Sequence, residues 1–265
     1  YRFQRSDCPP SDTLENDGMG APVAHTGMTW SGFRPSDDAC RYGYLVPSNL
    51  FAMQELRHAA VFARRLGDEA LARRAETLSA QIEEGVKQYG HVNHPKFGDI
   101  LAYETDGMGH YNLMDDANVP SLMSLPYLGV CGADDPLYLR TRAFVLSAEN
   151  PYYYRGTQAV GVGSPHTPAG YVWPIALCVQ GMTTADTDEQ ARLLQFWTGM
   201  RRPPQLGFGA LRPSPAIAVD AGAVDYLPTA STCTYLLRLS RYSSRDALRT
   251  QLLRALAAMP GFELA

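Results

Sequence analysis

Residues 50 to 89 limit the fold more than any other stretch. Leu50, Met53, Leu56 and Ala60 recur at helical spacing, and Pro47-Ser48-Asn49 offers a start signal just ahead of them. That series ends near Leu66, and Gly67-Asp68 turns the chain. A second series, Leu71, Ala75, Leu78, Ile82 and Val86, predicts a helix over 69–89. Two amphipathic helices with so short a connection fold back as an antiparallel αα-hairpin. Such a hairpin must bury its apolar stripes against further helices, so the pattern predicts an all-α array of antiparallel pairs.

The later sequence continues it. Helices are expected over 117–128 (kinked near Pro120 and Pro126), 136–148, 171–182 and 188–198, about six in all from Leu50 to Thr198. A short strand at Ile100-Leu101-Ala102-Tyr103 is the one exception. Apolar residues make up 45% and charged residues 19% of 265, enough to bury a sizeable core. A net charge of -4 leaves no basic footprint for nucleic acid or an anionic membrane. No apolar run has transmembrane length, and no targeting segment opens the given chain, so cytoplasmic and secreted settings both stay open. Five cysteines at wide spacing read as free thiols, not a zinc pattern or a disulfide framework.

Between the helices lie long stretches rich in Gly, Pro, Asp and Ser, and these carry the chemistry. Residues 27–40 have no period of 2 or 3.6, yet hold Trp30, Phe33, Arg34, Asp37 and Asp38. An indole can stack on a sugar face, an Arg can fork two hydrogen bonds, and a carboxylate can act as a base. The alternative is a loop whose aspartates only satisfy backbone donors. Asp115-Asp116 can likewise complement a helix start or line a site. His166 stands on a stiff loop between Pro165 and Pro168. His91 and His94 read as solvated loop histidines, because Pro95 stops a helix and no third ligand is near. Neither Asp pair extends to the DDxxD-type cluster of a magnesium-dependent terpenoid synthase.

Several of these stretches resemble one family. Residues 27–40 (GMTWSGFRPSDDAC) are similar to the signature of glycoside hydrolase family 125, the metal-independent exo-α-1,6-mannosidases. So, in family order, are Tyr1-Arg2-Phe3-Gln4-Arg5, Asp12-Thr13-Leu14, Tyr44-Leu45-Val46-Pro47-Ser48-Asn49, Met114-Asp115-Asp116-Ala117-Asn118-Val119-Pro120-Ser121 and Gly163-Ser164-Pro165-His166-Thr167-Pro168. The resemblance implies an (α/α)6 barrel, incomplete in this chain. It implies hydrolysis of non-reducing terminal α-1,6-mannose with inversion, an α-mannoside glycan as substrate, and no metal or other cofactor. By the same resemblance Asp37 or Asp38 is the base, and Trp30, Arg34, Asp115, Asp116, Asn118 and His166 contact sugar.

The resemblance stops near Thr198, which suggests a division into a family segment over 1–199 and a divergent segment over 200–265. The family's general acid is the Glu of a His-Glu-Ser segment that is missing here, and no Lys or Glu follows until Glu263. An inverting glycosidase needs both carboxyl groups, about 6.5–9.5 Å apart. A catalytically inactive or merely mannose-binding fragment is therefore the competing reading. Out-of-frame translation or an alternative spliced end would give such a tail, although residues 243–259 read as a capped helix with Leu248, Leu252, Leu253 and Leu256.

Overall fold

The computed structural model describes residues 1–155, 160–185, 216–231 and 236–257. They belong to two units, residues 1–154 with 161–183, and residues 155–160 with 184–265. Helix dominates the regular elements, with small sheets beside it.

The first unit opens on loop, with a 3-10 turn at Pro10–Asp12 and a single turn, α1, at Glu15–Gly18. Helices α2 (Val46–Arg65) and α3 (Glu69–Tyr89) form the expected hairpin. Asp68 caps α3 by accepting from the Leu71 amide. Helix α2 starts four residues earlier than expected. Pro47 fits the first turn, no side chain caps the start, and Asn49 lies inside the helix with its amide committed elsewhere.

The buried stripe of α3 also differs. Leu71 and Leu78 are about half exposed, while Ala72, Ala75, Ser79, Ile82, Gly85 and Val86 are buried. Small residues win the interface because Ala72 and Ala75 pack against Ala60 and Ala63 of α2, which lets the helices approach closely.

Strand β1 (Tyr44–Leu45) pairs antiparallel with β4 (Glu104–Thr105), which pairs with β5 (Tyr111–Asn112). Strands β2 (His91–His94) and β3 (Gly98–Leu101) form a hairpin, so the two histidines sit on a strand and not on a loop. His91 faces the Asp99 carboxylate, and the His94 ring lies against Phe97 and Phe144.

Residues 117–128 form turns where a helix was expected. Pro120 and Pro126 supply no amide, and Ser121 and Ser124 bond each other's backbone. The Leu122 and Met123 amides go to Asp115. Helix α4 (Pro136–Val145) is capped by Asp135, and α5 (Pro174–Met182) begins after Trp173. Two short strands, β6 (Tyr153–Arg155) and β7 (Val160–Val162), precede α5. The expected helix at 188–198 lies outside the described residues.

The core of this unit joins Leu45, Val46, Ile100, Tyr103, Met114, Leu122, Leu125, Tyr138, Phe144 and Val145. Burying each such side chain contributes roughly 1.5–3 kcal/mol. Gly85 in mid-α3 is costly for a helix, by about 1 kcal/mol against Ala. A Cβ there would run into the Thr26 carbonyl, so the glycine lets the loop before Gly27 lie on the helix.

In the second unit β8 (Ala216–Val224) runs parallel to β10 (Leu236–Arg241), whose other edge pairs antiparallel with β9 (Thr229–Ser231). Helix α6 (Arg245–Ala257) is the helix expected near 243–259, and the Ser244 hydroxyl accepts from the Ala247 amide at its start. Ala255 and Leu256 pack with Leu237, while Leu253 is exposed.

Candidate active site

Residues 27–40 form an irregular loop, as their pattern predicts. It is pinned at both ends of its chemistry. The Thr29 amide donates to Asn49 Oδ1 at 2.7 Å, and Asn49 Nδ2 donates back to the Thr29 carbonyl at 3.1 Å. The Ser31 amide donates to Gly43, the Cys40 amide to Gly32, and Phe33 bridges Ala39. Inside this frame the Asp37 amide donates to the Arg34 carbonyl at 3.0 Å, with Pro35 preset for the turn. Asp37 takes a φ of 69°, a left-handed conformation that Asp tolerates.

This turn separates the two adjacent aspartates. Asp37 is exposed, whereas Asp38 is 4% exposed and turned inward with Ser36. Asp38 Oδ1 lies 3.4 Å from His166 Nδ1, across 128 residues of sequence. The Ser36 hydroxyl donates to Asp116 Oδ2 at 2.6 Å and lies 3.5 Å from Asp38 Oδ2. Three loops thus meet: 27–40, the Asp115-Asp116 segment, and the loop carrying Ser164 and His166. The Ala117 amide, which donates to the Gly163 carbonyl at 3.1 Å, ties the last two.

The two carboxylates of the second pair do different things. Asp115 is fully buried, and its oxygens accept from the Leu122 amide at 2.8 Å and the Met123 amide at 3.0 Å. Burial pushes its pKa up to about 7 against the pull of those amides, and the Asp116 charge adds to the rise. Both oxygens are occupied by backbone, so Asp115 holds the loop. Burial also raises Asp116, opposed by the Ser36, Asn118-amide and Ser164 hydrogen bonds and by the Arg34 charge. The Asn118 amide donates to Asp116 Oδ1 at 3.4 Å.

Arg34 is anchored from below. Its Nε donates to Glu104 Oε1 at 2.6 Å, with both side chains buried. Burial disfavours the Arg34 charge, but the Glu104 bond and charge outweigh that and keep it ionised. Glu104 Oε2 accepts from the Arg41 and Tyr42 amides and from Asn112 Nδ2. The guanidinium also lies over the Tyr103 ring, whose buried hydroxyl has no partner among the described residues.

Of the residues that the sequence pointed to, Asp38, Asp116 and His166 are brought together. Arg34 acts on Asp116 through its charge and Asn118 through its amide. Trp30 sits elsewhere on the loop, edge-on to Tyr1 and against Gly43, at the margin of the core. Ser36, Glu104 and Ser164 carry much of the geometry and were not singled out by sequence. His166 stays in place because its amide donates to Ser164 Oγ, and the Trp173 indole donates to Thr167.

The loops that meet here are those of a known enzyme family. The family model described as "Metal-independent alpha-mannosidase (GH125)" matches residues 1–202. The chain belongs to this family. It is similar to the meiotically up-regulated gene 157 protein of Schizosaccharomyces pombe, at 45% identity over 196 residues. That match covers 73% of this chain and 38% of the yeast protein. A solved α-mannosidase of Streptococcus pneumoniae, in a non-productive complex with α-1,6-mannobiose, superposes with a TM-score of 0.70 at 47% identity. It covers 73% of this chain, which spans 46% of that one.

A second family model, "HECT-domain (ubiquitin-transferase)", matches residues 175–265 and overlaps the first over 175–202. Over 88 residues the chain is 42% identical to the E3 ubiquitin-protein ligase UPL6 of Arabidopsis thaliana, covering 31% of this chain and 9% of that protein. The tail is thus similar to sequence of a second family.

Proposed function

We propose that the family segment, about residues 1–199, acts on non-reducing terminal α-1,6-linked mannose and inverts the anomeric carbon. Asp38 is its general base. The observation that carries this reading is the turn at 34–37, which buries Asp38 against His166 and Ser36 and leaves Asp37 in solvent. A buried, hydrogen-bonded carboxylate is oriented to take a proton from a water, which an exposed one is not. The fold reading that goes with it is part of an (α/α)6 barrel whose end loops build the site. The residues from about 200 onward form a separate segment with no carboxylate in a family-like setting. The chain therefore supplies the base and lacks the acid.

Inverting hydrolysis needs the acid only to protonate the leaving oxygen. A leaving group that departs as an anion removes that need. The chain is expected to hydrolyse α-mannosyl fluoride, releasing β-mannose first, and to leave α-1,6-mannobiose uncleaved. Excess EDTA should not change the rate, and α-1,6-mannobiose should inhibit better than the α-1,2 or α-1,3 isomers. Proton NMR of the product anomer and a fluoride electrode read all of this. No hydrolysis of the fluoride, or α-mannose as first product, would overturn the reading.

A second reading attaches to the tail alone, through its ubiquitin-transferase match. Acyl transfer through a covalent intermediate needs a nucleophile, and Cys233 is the only cysteine after residue 202. It lies outside the described residues. Its thiolate would attack the thioester carbonyl of carrier-bound ubiquitin and expel the carrier thiolate. A thiol-sensitive ubiquitin adduct on a non-reducing gel, lost in Cys233→Ala and kept in Cys178→Ala, is expected. Absence of the adduct would remove this reading.

A further inference from the structure

One hydroxyl stands between two of the acidic groups. Ser36 is 4% exposed, and its single proton goes to Asp116 Oδ2 at 2.6 Å. Asp38 Oδ2 lies 3.5 Å from the Ser36 hydroxyl, at the limit of a hydrogen bond, so it receives nothing strong from Ser36 in this state. A serine hydroxyl rotates and has one proton to give. Once Asp116 is protonated it becomes the donor to Ser36 Oγ, which frees the Ser36 proton to turn to Asp38.

We propose that Ser36 is a positioning residue that couples Asp38 to Asp116, so that the proton on Asp116 sets how basic Asp38 is. The catalytic meaning rests on the reading of Asp38 as the base, but the coupling itself does not. With Asp116 ionised, Ser36 gives its proton away, and Asp38 keeps unshared lone pairs. With Asp116 protonated, the Ser36 hydroxyl solvates the Asp38 anion and makes it a weaker base. Burial favours the proton on Asp116, while Ser36, Ser164, the Asn118 amide and the Arg34 charge oppose it. The other groups bearing on Asp116 are Asp115 and Tyr103. On the Asp38 side the facing titratable group is His166.

The test is a carbon-13 titration of aspartate side-chain carboxyls in the full chain, with signals assigned by their loss in Asp38→Asn and Asp116→Asn. In the unaltered chain the Asp38 signal is expected to show a second inflection at the pH where Asp116 titrates. Ser36→Ala should shrink that inflection by about two-fold or more, leaving only the through-space effect of the Asp116 charge. Ser36→Thr, which keeps the hydroxyl, should restore it. Asp116→Asn must erase it, which keeps the test decisive should Ser36→Ala unfold. A second inflection that is undiminished in Ser36→Ala, that survives Asp116→Asn, or that is missing at the outset, overturns the coupling. No turnover is needed, so failure here and failure of the base assignment are separate results.

Discussion

Asp38→Asn is expected to lower α-mannosyl fluoride hydrolysis by about 10³-fold, whereas Asp37→Asn stays within about two-fold of the unaltered chain. In the first variant the introduced amide keeps the shape of the carboxylate and can still face Ser36 and His166, so mannose binding should survive the change. What it removes is the capacity to take a proton from water. A variant that binds substrate and does not turn over has lost an interaction made only in the transition state. Asp37 supplies the contrast. It lies at a φ of 69° in solvent, and asparagine tolerates that left-handed backbone nearly as well, so its exchange disturbs neither loop nor site. The comparison needs initial rates of fluoride release and mannose affinities for the three proteins. Near-normal turnover in Asp38→Asn, or a collapse in Asp37→Asn, would reverse the assignment.

How far the sequence could carry this site depends on the range of each interaction. Local chemistry was legible. The hairpin and the irregular loop at 27–40 each follow from residues within one or two turns of each other. The choice between Asp37 and Asp38 was not, because adjacent residues share composition and neighbours. It is made by a turn whose Pro35 and left-handed Asp37 are visible only as a weak turn signal. Ser36 and Glu104 were missed for a different reason. Their partners Asp116 and Arg34 stand 80 and 70 residues away, and nothing local distinguishes them from ordinary polar residues. The helix expected over 117–128 failed because a buried carboxylate competed for the backbone. Asp115 took the Leu122 and Met123 amides, and two prolines left gaps in the ladder. The stripe on α3 was displaced by packing, since alanines bring helices closer than leucines do.

Glu104→Ala is expected to destabilise the first unit by about 3–5 kcal/mol, the usual cost of leaving one partner of a buried ion pair uncompensated. Arg34 and Glu104 are 8% and 0% exposed, so neither charge can turn to water without opening the loop. The loss extends beyond the pair. Glu104 Oε2 also receives the Arg41 and Tyr42 amides and Asn112, and all three donors would be left without this acceptor. Glu104→Gln separates charge from shape. Its carbonyl oxygen can still accept from Arg34, but its NH2 would then point at the donors that Oε2 now serves. The Gln variant also leaves the buried Arg34 charge uncompensated and sets a donor against donors, so it should lose a comparable amount. In thermal terms the Ala variant should melt roughly 6–20 °C lower for a unit of this size. The same substitution releases Arg34, whose charge now opposes protonation of Asp116, so Asp116 should hold its proton to higher pH. Thermal unfolding followed by near-ultraviolet circular dichroism, with the carboxyl titration of Asp116, measures both effects. A Gln variant as stable as the parent would mean that charge and amide satisfaction at Glu104 do not hold the loop that carries Asp38.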